Sequence, residues 1–593
     1  MQKRRFLLDI KHKMEYILKG DVMITLDDCK YNVSNGILTL SNALFSHRIE
    51  GIDSATASVK DADGLSAPYL EVCAVSGGED KKYCLWEDLP AVYMPNFWGG
   101  NILTLEGEHW VVSYITLKAF SDDNDTLWEK CDLNLFSRTL SPREGDVFIL
   151  EDKESEDCVV IISETPDCLR ATLEIKNGRV NVENGGNGLL LGFCRAGDGE
   201  RLCREYYRRA RLCRGLLTMS NTWGDRNGFS RICRDFVLSE IDTAKALGID
   251  IVQIDDGWQT GNTATVRRDS LGRRIFEGDF WELDRNKFPG GMEEIAKYAR
   301  DEGVKVGLWF APDSHDCYSL LDRDIEVLRK AYNEWGIRFF KLDMFWVKNR
   351  EERDRFLSLL SAIYSFGDDV AVQLDVTRGD RMNYLCGRQY GTVFVENRYT
   401  KSGNAFPHRV LRNLWMLGHY IPTSKFQFEL INPDLNVECY LENDPFAPFL
   451  YNMDYLFACV MLSNPLFWME MQFLSEDRKR EIEKILPIWK SLRPFLANAD
   501  VHPIGDKPSG RSFTGFEISN GNRVKYLLLF REVTENESAV IKTSTEAAET
   551  KILASNTNAR ISVKDGYTEI SLAKPRAYAL VELIYPEDRR MTK

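Results

Sequence analysis

The sequence predicts a central (β/α)8 barrel that lies between two β-sandwiches. Its 593 residues exceed the usual size of a single domain. Short alternating stretches fill residues 1–200, strand-like and amphipathic helical runs alternate over residues 201–496, and strand-like runs return over residues 497–593. The alternation in the middle segment has the length and rhythm of a barrel of parallel strands. We therefore predict three domains with these boundaries.

The two outer segments carry the pattern of antiparallel sandwiches. Apolar and β-branched runs are separated there by clusters of Gly, Asn and Asp, which favour turns. The strand-like runs that define the pattern are 22–26, 36–40, 110–115, 159–162, 524–530, 559–563 and 577–584. No helix is predicted before residue 201. The Arg-rich stretch that follows, 201–214, is predicted to be a linking helix with a solvated basic face.

The middle segment supplies the strands and helices of the barrel. Its predicted strands are 216–223, 250–258, 305–312, 338–344, 369–376, 392–398, 426–430 and 461–468. Its clearest helical runs are 235–247, 292–300, 323–335 and 351–364. A doubly wound open sheet is the alternative fold, but no Gly-rich phosphate loop follows the first strand.

Charge and cysteine usage narrow the class of partner and the compartment. The net charge of −14 would repel a phosphate backbone, which excludes nucleic acid as a partner. The 14 cysteines show no zinc-ligand spacing, so we expect free thiols in a reducing, cytoplasmic compartment. No long apolar run predicts a membrane span, and charged residues interrupt the N-terminal apolar stretch that a signal peptide would need.

Carboxylates and tryptophans crowd the carboxyl ends of the predicted strands, where barrel enzymes place their active sites. The residues at these ends include Trp223, Asp255, Asp256, Trp258, Trp309, Asp343, Asp375, Glu396 and Arg398. Oxygen ligands for a metal are one use of such a ring, and glycoside cleavage by two carboxyl groups is another. Lys341 favours the second use, because a cation two residues away on the same strand face helps to keep Asp343 ionised. The structural alternatives are helix capping by Asp255 and Asp256 and a plain Lys341–Asp343 ion pair.

Four stretches in this segment resemble glycoside hydrolase family 36, the melibiase-type α-galactosidases. They are Asp255-Asp256-Gly257-Trp258, the Gly278-Asp279-Phe280-Trp281 to Lys287-Phe288-Pro289 loop, Gly307-Leu308-Trp309-Phe310-Ala311-Pro312 and Phe340-Lys341-Leu342-Asp343. The resemblance covers the barrel. It implies that Asp343 is the nucleophile. It also implies that Asp255 and Asp256 bind the O4 and O6 hydroxyls of the sugar and that Lys341 contacts O3 or O4. Trp309 and Trp223 would line the sugar subsite.

The resemblance ends after the fifth and sixth strands. The family's Cys-Ser-Ser-Gly-Gly-Gly-Arg loop is replaced by Asp375-Val376-Thr377-Arg378, and its acid/base aspartate region by Glu396-Asn397-Arg398-Tyr399. Glu396 is the leading candidate for the acid/base, with Asp380 and Asp375 as rivals. Asp375 has the alternative role of orienting Arg398 or binding the O2 hydroxyl.

The sequence therefore predicts a retaining, exo-acting α-glycosidase, with an α-galactosidase favoured. Its substrate would be an oligosaccharide or glycoconjugate, it would need no metal or organic cofactor, and family members often form homo-oligomers. The alternatives are a transglycosylase of the raffinose-synthase kind and a carbohydrate-binding protein on a degenerate barrel. A metal-dependent sugar isomerase or hydrolase is disfavoured, because the strand ends lack histidine ligands.

Overall fold

A computed structural model gives the structure of the protein. It describes residues 29–585 except 43, 61–67, 96–99, 107–109, 118–127, 135–138, 165–169, 177–178, 185–187, 210–214, 225–230, 377–388, 397–398, 522 and 546–547. The predicted strand at 22–26 lies outside these residues. Among the helices of the described part, none is both long enough and apolar enough to span a bilayer.

The N-terminal region is built from antiparallel strands, as predicted. They form a three-stranded sheet in the order β1-β2-β3, a nine-stranded sheet in the order β10-β9-β12-β13-β16-β7-β6-β5-β4, and a four-stranded sheet in the order β11-β14-β15-β8. The strands are β1 Lys30–Ser34, β2 Ile37–Ser41, β3 Ser46–Glu50, β4 Ser54–Lys60, β5 Tyr69–Ser76, β6 Glu79–Leu85, β7 Ala91–Met94, β8 Gly100–Glu106, β9 Trp110–Leu117, β10 Trp128–Asn134, β11 Thr139–Gly145, β12 Val147–Asp152, β13 Asp157–Ser163, β14 Ala171–Lys176, β15 Arg179–Asn184 and β16 Leu189–Arg195.

Helix α1, Gly199–Arg209, joins this region to the barrel. Its basic face was predicted to be solvated, and this is wrong for Arg204, whose residue is only 3% exposed. The Arg204 guanidinium pairs with Asp500 and donates a hydrogen bond to the backbone carbonyl of His419. Arg208 also pairs with Asp500. The helix therefore connects to both of the regions that follow it.

Eight parallel strands close into a barrel in the order β17 to β24, which confirms the predicted fold. Each observed strand lies within its predicted run, and most are shorter by a few residues. They are β17 Met219–Asn221, β18 Ile251–Ile254, β19 Lys305–Phe310, β20 Phe339–Leu342, β21 Ala371–Asp375, β22 Thr392–Val395, β23 Phe426–Leu430 and β24 Asn464–Phe467. Most of their residues are buried, because helices cover the outer face and side chains fill the interior.

Helices pack around the barrel and follow the predicted order. They are α2 Arg234–Leu247, α3 Met292–Asp301, α4 Leu321–Lys330, α5 Arg350–Tyr364, α6 Pro407–Gly418, α7 Met453–Val460 and α8 Glu476–Leu496, and Ala331–Trp335 continues α4 as a π-helical turn. Short 3-10 turns occur at Thr400–Ser402, Thr423–Lys425, Val437–Cys439, Pro448–Leu450 and Met471–Phe473. Asn349 begins α5 by accepting a hydrogen bond from the Glu352 amide, and Ser475 begins α8 in the same way.

The C-terminal region returns to antiparallel strands, again as predicted. A five-stranded sheet has the order β25-β26-β27-β32-β29, and a three-stranded sheet has the order β28-β31-β30. The strands are β25 Asp500–Gly505, β26 Phe513–Asn520, β27 Arg523–Arg531, β28 Ser538–Lys542, β29 Glu549–Ser555, β30 Ala559–Lys564, β31 Tyr567–Leu572 and β32 Ala577–Ile584. Apolar side chains from both sheets form a core of their own.

Candidate active site

The register of the barrel strands brings the predicted site residues together at one end. Trp309 on β19 lies opposite Lys341 on β20, and Ile254, the residue before Asp255, lies opposite Leu308. Asp255, Trp309 and Lys341 are therefore level on three neighbouring strands. Since parallel strands end on the same side of a barrel, the polar residues just beyond them share one rim.

Lys341 lies at the centre of this rim and is only 2% exposed. Its ammonium group is 3.0 Å from an Asp255 oxygen and 3.2 Å from an Asp375 oxygen. Burial lowers the pKa of Lys341, but the surrounding Asp255, Asp375 and Asp343 carboxylates outweigh it and raise the pKa above its usual range. Among the described residues, Lys341 thus bridges two other carboxylates, which contradicts the structural alternative of a plain Lys341–Asp343 ion pair. Lys341 acts on Asp343 through its charge at longer range.

Asp343 follows β20 directly, and both of its carboxylate oxygens have donors. The Trp309 indole Nε1–H donates to Oδ2 at 3.1 Å, and the Met344 amide donates to Oδ1 at 2.6 Å. Met344 adopts a left-handed conformation, with φ of 59°, which is strained for a residue other than glycine. The chain thus turns sharply after Asp343 so that the next amide points back at the carboxylate.

Two opposing effects set the protonation of Asp343. Burial and the nearby Asp375 carboxylate raise its pKa to about 7, while the Lys341 charge and the Trp309 hydrogen bond lower it. Burial and Asp375 therefore work against the ionised form of Asp343, and Lys341 and Trp309 favour it. The Lys341 charge acts in the direction expected from the sequence, but burial and Asp375 oppose it.

Asp255 and Asp256 sit side by side at the end of β18, and their surroundings differ. Asp255 accepts hydrogen bonds from the Asn221 amide group at 2.7 Å and from Lys341. Asp256 accepts from Gln259 at 2.6 Å and from the Thr263 hydroxyl. Burial raises the pKa of Asp256 to about 6 against these hydrogen bonds. Neither side chain caps a helix.

The three predicted tryptophans have different surroundings. Trp309 is fully buried and touches Asp343 through its indole nitrogen. Trp258 is also fully buried: it stacks on Trp281 at 5.9 Å and donates to the Trp309 carbonyl at 2.9 Å. Trp258 therefore supports Trp309 from behind, and a role for Trp258 in sugar binding stays a prediction. Trp223 is partly exposed at the end of β17.

Sequence reasoning missed Trp468, which directly follows β24. Its ring lies 4.8 Å from the Lys341 ammonium, in contact distance for a cation–π interaction. Phe394 and Tyr399 pack against it, and Trp223 packs on the same cluster. Its indole Nε1–H is buried without a hydrogen-bond partner in the described structure. The predicted strand reached this residue, so its place at a strand end was the signal that could have found it.

The candidates for the acid/base divide into described and undescribed residues. Glu396 directly follows β22 and is buried, at 4% exposure. Asp375 ends β21, lies opposite Phe394 of β22, and forms its ion pair with Lys341. Asp380 and Arg398 lie outside the described residues. The structure thus places Asp375 at the end of β21, next to β20, and Glu396 just past β22, one strand further round the barrel.

A closed (β/α)8 barrel with clustered carboxylates and tryptophans at its strand ends is the arrangement of carbohydrate-active barrel proteins. Residues 218–337 match the melibiase family model. The matched part of the chain includes Asp255, Asp256 and Trp309.

Known proteins resemble the chain in sequence over part of its length and in fold over most of it. An α-galactosidase from Coffea arabica is 25% identical over 180 residues, which are 29% of this chain. The match spans 44% of that enzyme, less than half of its length. The GH36 α-galactosidase AgaA from Geobacillus stearothermophilus has a similar fold, with a TM-score of 0.63 at 13% identity over 90% of this chain and 87% of that one. A variant of AgaA in complex with raffinose gives a TM-score of 0.63 at 12% identity, over 95% and 90% of the two chains.

Proposed function

We propose that the protein is a retaining, exo-acting α-galactosidase with Asp343 as its nucleophile. The observation that carries the proposal is the setting of Asp343. Its two oxygens are oriented by Trp309 and by the Met344 amide, and a buried cation lies two residues back on the same strand. An oriented carboxylate in a water-poor site is what covalent glycoside cleavage requires.

The reaction would proceed in two steps. The Asp343 carboxylate attacks the anomeric carbon while the acid/base donates its proton to the leaving oxygen, which departs as an alcohol. The same acid/base then takes a proton from water, and the water oxygen displaces Asp343 to release the sugar. Two inversions at one carbon give net retention.

Glu396 is the acid/base in this proposal, and Asp375 is not. An acid/base must carry a proton when the substrate binds, and an ion pair with Lys341 favours the carboxylate form of Asp375. Glu396 follows the next strand along, so it shares the rim with Asp343. Asp375 would hold Lys341 and lie beside the O2 hydroxyl of the sugar.

Asp255 and Asp256 supply the proposed recognition of the sugar. Carboxylates accept short, charge-assisted hydrogen bonds from hydroxyl groups, and a buried carboxylate that loses its partner is costly. Asn221 and Lys341 fix Asp255, whereas Gln259 and Thr263 fix Asp256. We propose that these two residues select the O4 and O6 hydroxyls of a terminal α-galactose. The raffinose bound to the AgaA variant supports an oligosaccharide as the substrate class.

The test is hydrolysis of 4-nitrophenyl α-galactoside by the full chain. Asp343→Asn should fold and lose about 10⁴-fold or more in kcat. Asp354→Asn, on the exposed face of α5, is the matched control and should keep full activity. Turnover by Asp343→Asn equal to that of the control would refute the nucleophile assignment.

A rescue experiment separates a nucleophile from a structural carboxylate. In Asp343→Gly, azide can enter the vacated space and attack the anomeric carbon directly. The nitrophenolate leaves without protonation, and the product is the β-galactosyl azide. Recovery of activity with azide, with that product identified by NMR, is the expected result. Adding a sugar acceptor to the wild-type reaction separates hydrolysis from transfer, because a transglycosylase would release less free galactose.

A further inference from the structure

A second cluster of ligating side chains lies at the opposite end of the barrel from the candidate active site. Glu200 is in the first turn of α1, which precedes β17, and His419 directly follows α6, which precedes β23. His502 is on β25 of the C-terminal sheet. Segments that precede barrel strands lie at the end away from catalysis. The cluster thus joins three parts of the chain that are distant in sequence.

The geometry of the cluster suits a small cation. One ligand atom from each of Glu200, His419 and His502 lies within 4.8 Å of the other two. His419 Nδ1 is 2.8 Å from a Glu200 oxygen, and the two imidazole rings are 5.8 Å apart at 87°. In a tetrahedral zinc site, the ligand atoms are about 3.4 Å apart, given metal–ligand distances of about 2.1 Å. Small side-chain rotations would close the remaining gap.

Burial and the nearby charges favour the neutral imidazole of His502, which is the form that binds a cation. Burial, Arg204 and His419 together lower the pKa of His502 to about 4, while Glu200 and Asp500 act to raise it. The Arg204 charge is offset by Asp500, whose carboxylate is 2.8 Å from the guanidinium. Arg204 also donates to the His419 carbonyl at 2.7 Å, which fixes the backbone of this ligand.

A histidine–carboxylate hydrogen bond alone would need only Glu200 and His419. The third residue, His502, comes from a separate sheet and presents its ring edge-on to His419. We propose that Glu200, His419 and His502 bind one divalent transition-metal ion, with zinc preferred and water as the fourth ligand. The ion would tie the linking helix, the barrel and the C-terminal sheet together. Because binding requires the folded arrangement, it would stabilise the whole chain.

Metal titration of the full chain tests the site directly. Protein stripped with EDTA is titrated with Zn²⁺ in a calorimeter, and Co²⁺ serves as a spectroscopic probe in a parallel experiment. We expect one ion per chain and Co²⁺ bands without thiolate-to-metal charge transfer. That last feature matters because the chain has 14 cysteines, which also bind zinc. Absence of one-to-one binding, or a thiolate charge-transfer band, would overturn the proposal.

Variants assign the ligands. His502→Gln and Glu200→Gln should each weaken Zn²⁺ binding by at least about 10-fold. His315→Gln, which changes a partly exposed histidine in the loop after β19, is the matched control and should bind like wild type. Circular dichroism checks that each variant folds. If both ligand variants bind Zn²⁺ as tightly as the control, the site is wrongly assigned.

Thermal unfolding then tests the structural role. Zn²⁺ should raise the Tm of wild type and of His315→Gln, and should leave the Tm of His502→Gln and Glu200→Gln unchanged. A Tm of wild type that does not respond to Zn²⁺ would contradict the tie between the three segments. Hydrolysis of 4-nitrophenyl α-galactoside well below Tm should not depend on the metal. A failure of the proposed metal site can therefore be distinguished from a failure of the proposed function.

Discussion

Lys341 shows how a single buried charge organises the candidate site. Two carboxylates, Asp255 and Asp375, lie within 3.2 Å of its ammonium group, and the ring of Trp468 covers it at 4.8 Å. These contacts offset the desolvation cost of burying the Lys341 ammonium group. In return, the Lys341 charge limits how far burial can raise the pKa of Asp343. The proposed sugar recognition and the ionisation of the proposed nucleophile therefore depend on one residue.

Replacing Lys341 should reveal this coupling. Lys341→Met removes the cation from Asp343, so the pKa of Asp343 rises further and a smaller fraction is ionised at neutral pH. We expect kcat/KM to fall by about 10²-fold and its acidic limb to move to higher pH. The measurement is a pH profile of kcat/KM for 4-nitrophenyl α-galactoside. Lys305→Met changes the exposed lysine at the opposite end of β19 and should leave the profile unchanged; a Lys341→Met profile with an unmoved acidic limb would disprove the coupling.

The raised pKa of Asp343 also predicts a pH-dependent cost to stability. In the unfolded chain this carboxyl group ionises near pH 4, and in the folded chain near pH 7. The folded state binds the extra proton in that window, so the stability of wild type declines as pH rises from about 4 to 7. Asp343→Asn lacks this proton, and its Tm relative to wild type should increase across the same window. Parallel Tm curves for the two proteins between pH 4 and 7 would contradict the shift.

The site residues that could not be predicted from the sequence share one physical feature. Asp343, Lys341, Asp255 and Asp256 lie in short motifs on single strands, so their pattern is visible along the chain. The partners that fix them, Asn221, Thr263 and Trp468, come from other strands and loops. Their contacts depend on barrel closure and loop path, which local periodicity does not report.

At the scale of elements, the order of the barrel strands could be predicted from the sequence, but the residues at which the strands end could not be predicted as well. The run 250–258 was predicted as one strand, yet β18 ends at Ile254. Asp255 is the first residue past the ladder, where its side chain takes hydrogen bonds from Asn221 and Lys341. Burial continues past the strand through Asp255 to Trp258, which packs behind Trp309. The pattern therefore reports burial, and it cannot show where pairing with the neighbouring strand stops.

The close approach of the first and last barrel strands depends on Gly224. A Cβ at this position would lie 2.0 Å from the carbonyl oxygen of Trp468, where no side chain fits. Gly224→Ala should push Trp468 and Trp223 out of place. We expect a loss of about 1–3 kcal/mol in stability and of about 10²-fold in kcat/KM.

The control for Gly224→Ala is Gly272→Ala, at a glycine with nothing within 4 Å of the added carbon. Its positive φ of 83° allows some loss of stability, but the substitution lies far from Trp468 in sequence and should leave kcat/KM nearly unchanged. Equal kcat/KM for Gly224→Ala and wild type would mean that the position of Trp468 has no bearing on activity.

At the scale of the whole molecule, the regions are held together by contacts that the local sequence pattern does not predict. The Arg-rich stretch around α1 has the composition of a solvated helix face, and Arg204 is nevertheless buried. Its partner Asp500 is 296 residues away along the chain. A charge run predicts solvation unless a distant counter-charge is known, and only the folded chain shows that counter-charge. The order of the three regions could be predicted from the sequence, whereas the contacts between them could not.

The Arg204–Asp500 ion pair should make the stability of the whole chain depend on pH. Burial raises the pKa of Asp500, but Arg204 and Arg208 outweigh it and lower the pKa to about 2. The pair therefore contributes stability that is fully present above the unfolded pKa near 4 and is lost as pH falls toward 2. Asp500→Asn leaves the buried Arg204 guanidinium without its counter-charge and should cost about 2–3 kcal/mol at neutral pH.

The measurement is the Tm of wild type and Asp500→Asn from pH 3 to pH 7. The gap between the two should be constant above about pH 5 and should narrow toward pH 3, because wild-type Asp500 loses its folding contribution there. Asp506→Asn, just past the same strand, is exposed and should match wild type throughout. Activity of Asp500→Asn below its Tm should stay normal, since the pair lies at the end of the barrel away from Asp343. A gap that persists unchanged at pH 3 would show that Asp500 stabilises the chain by packing and not by its charge.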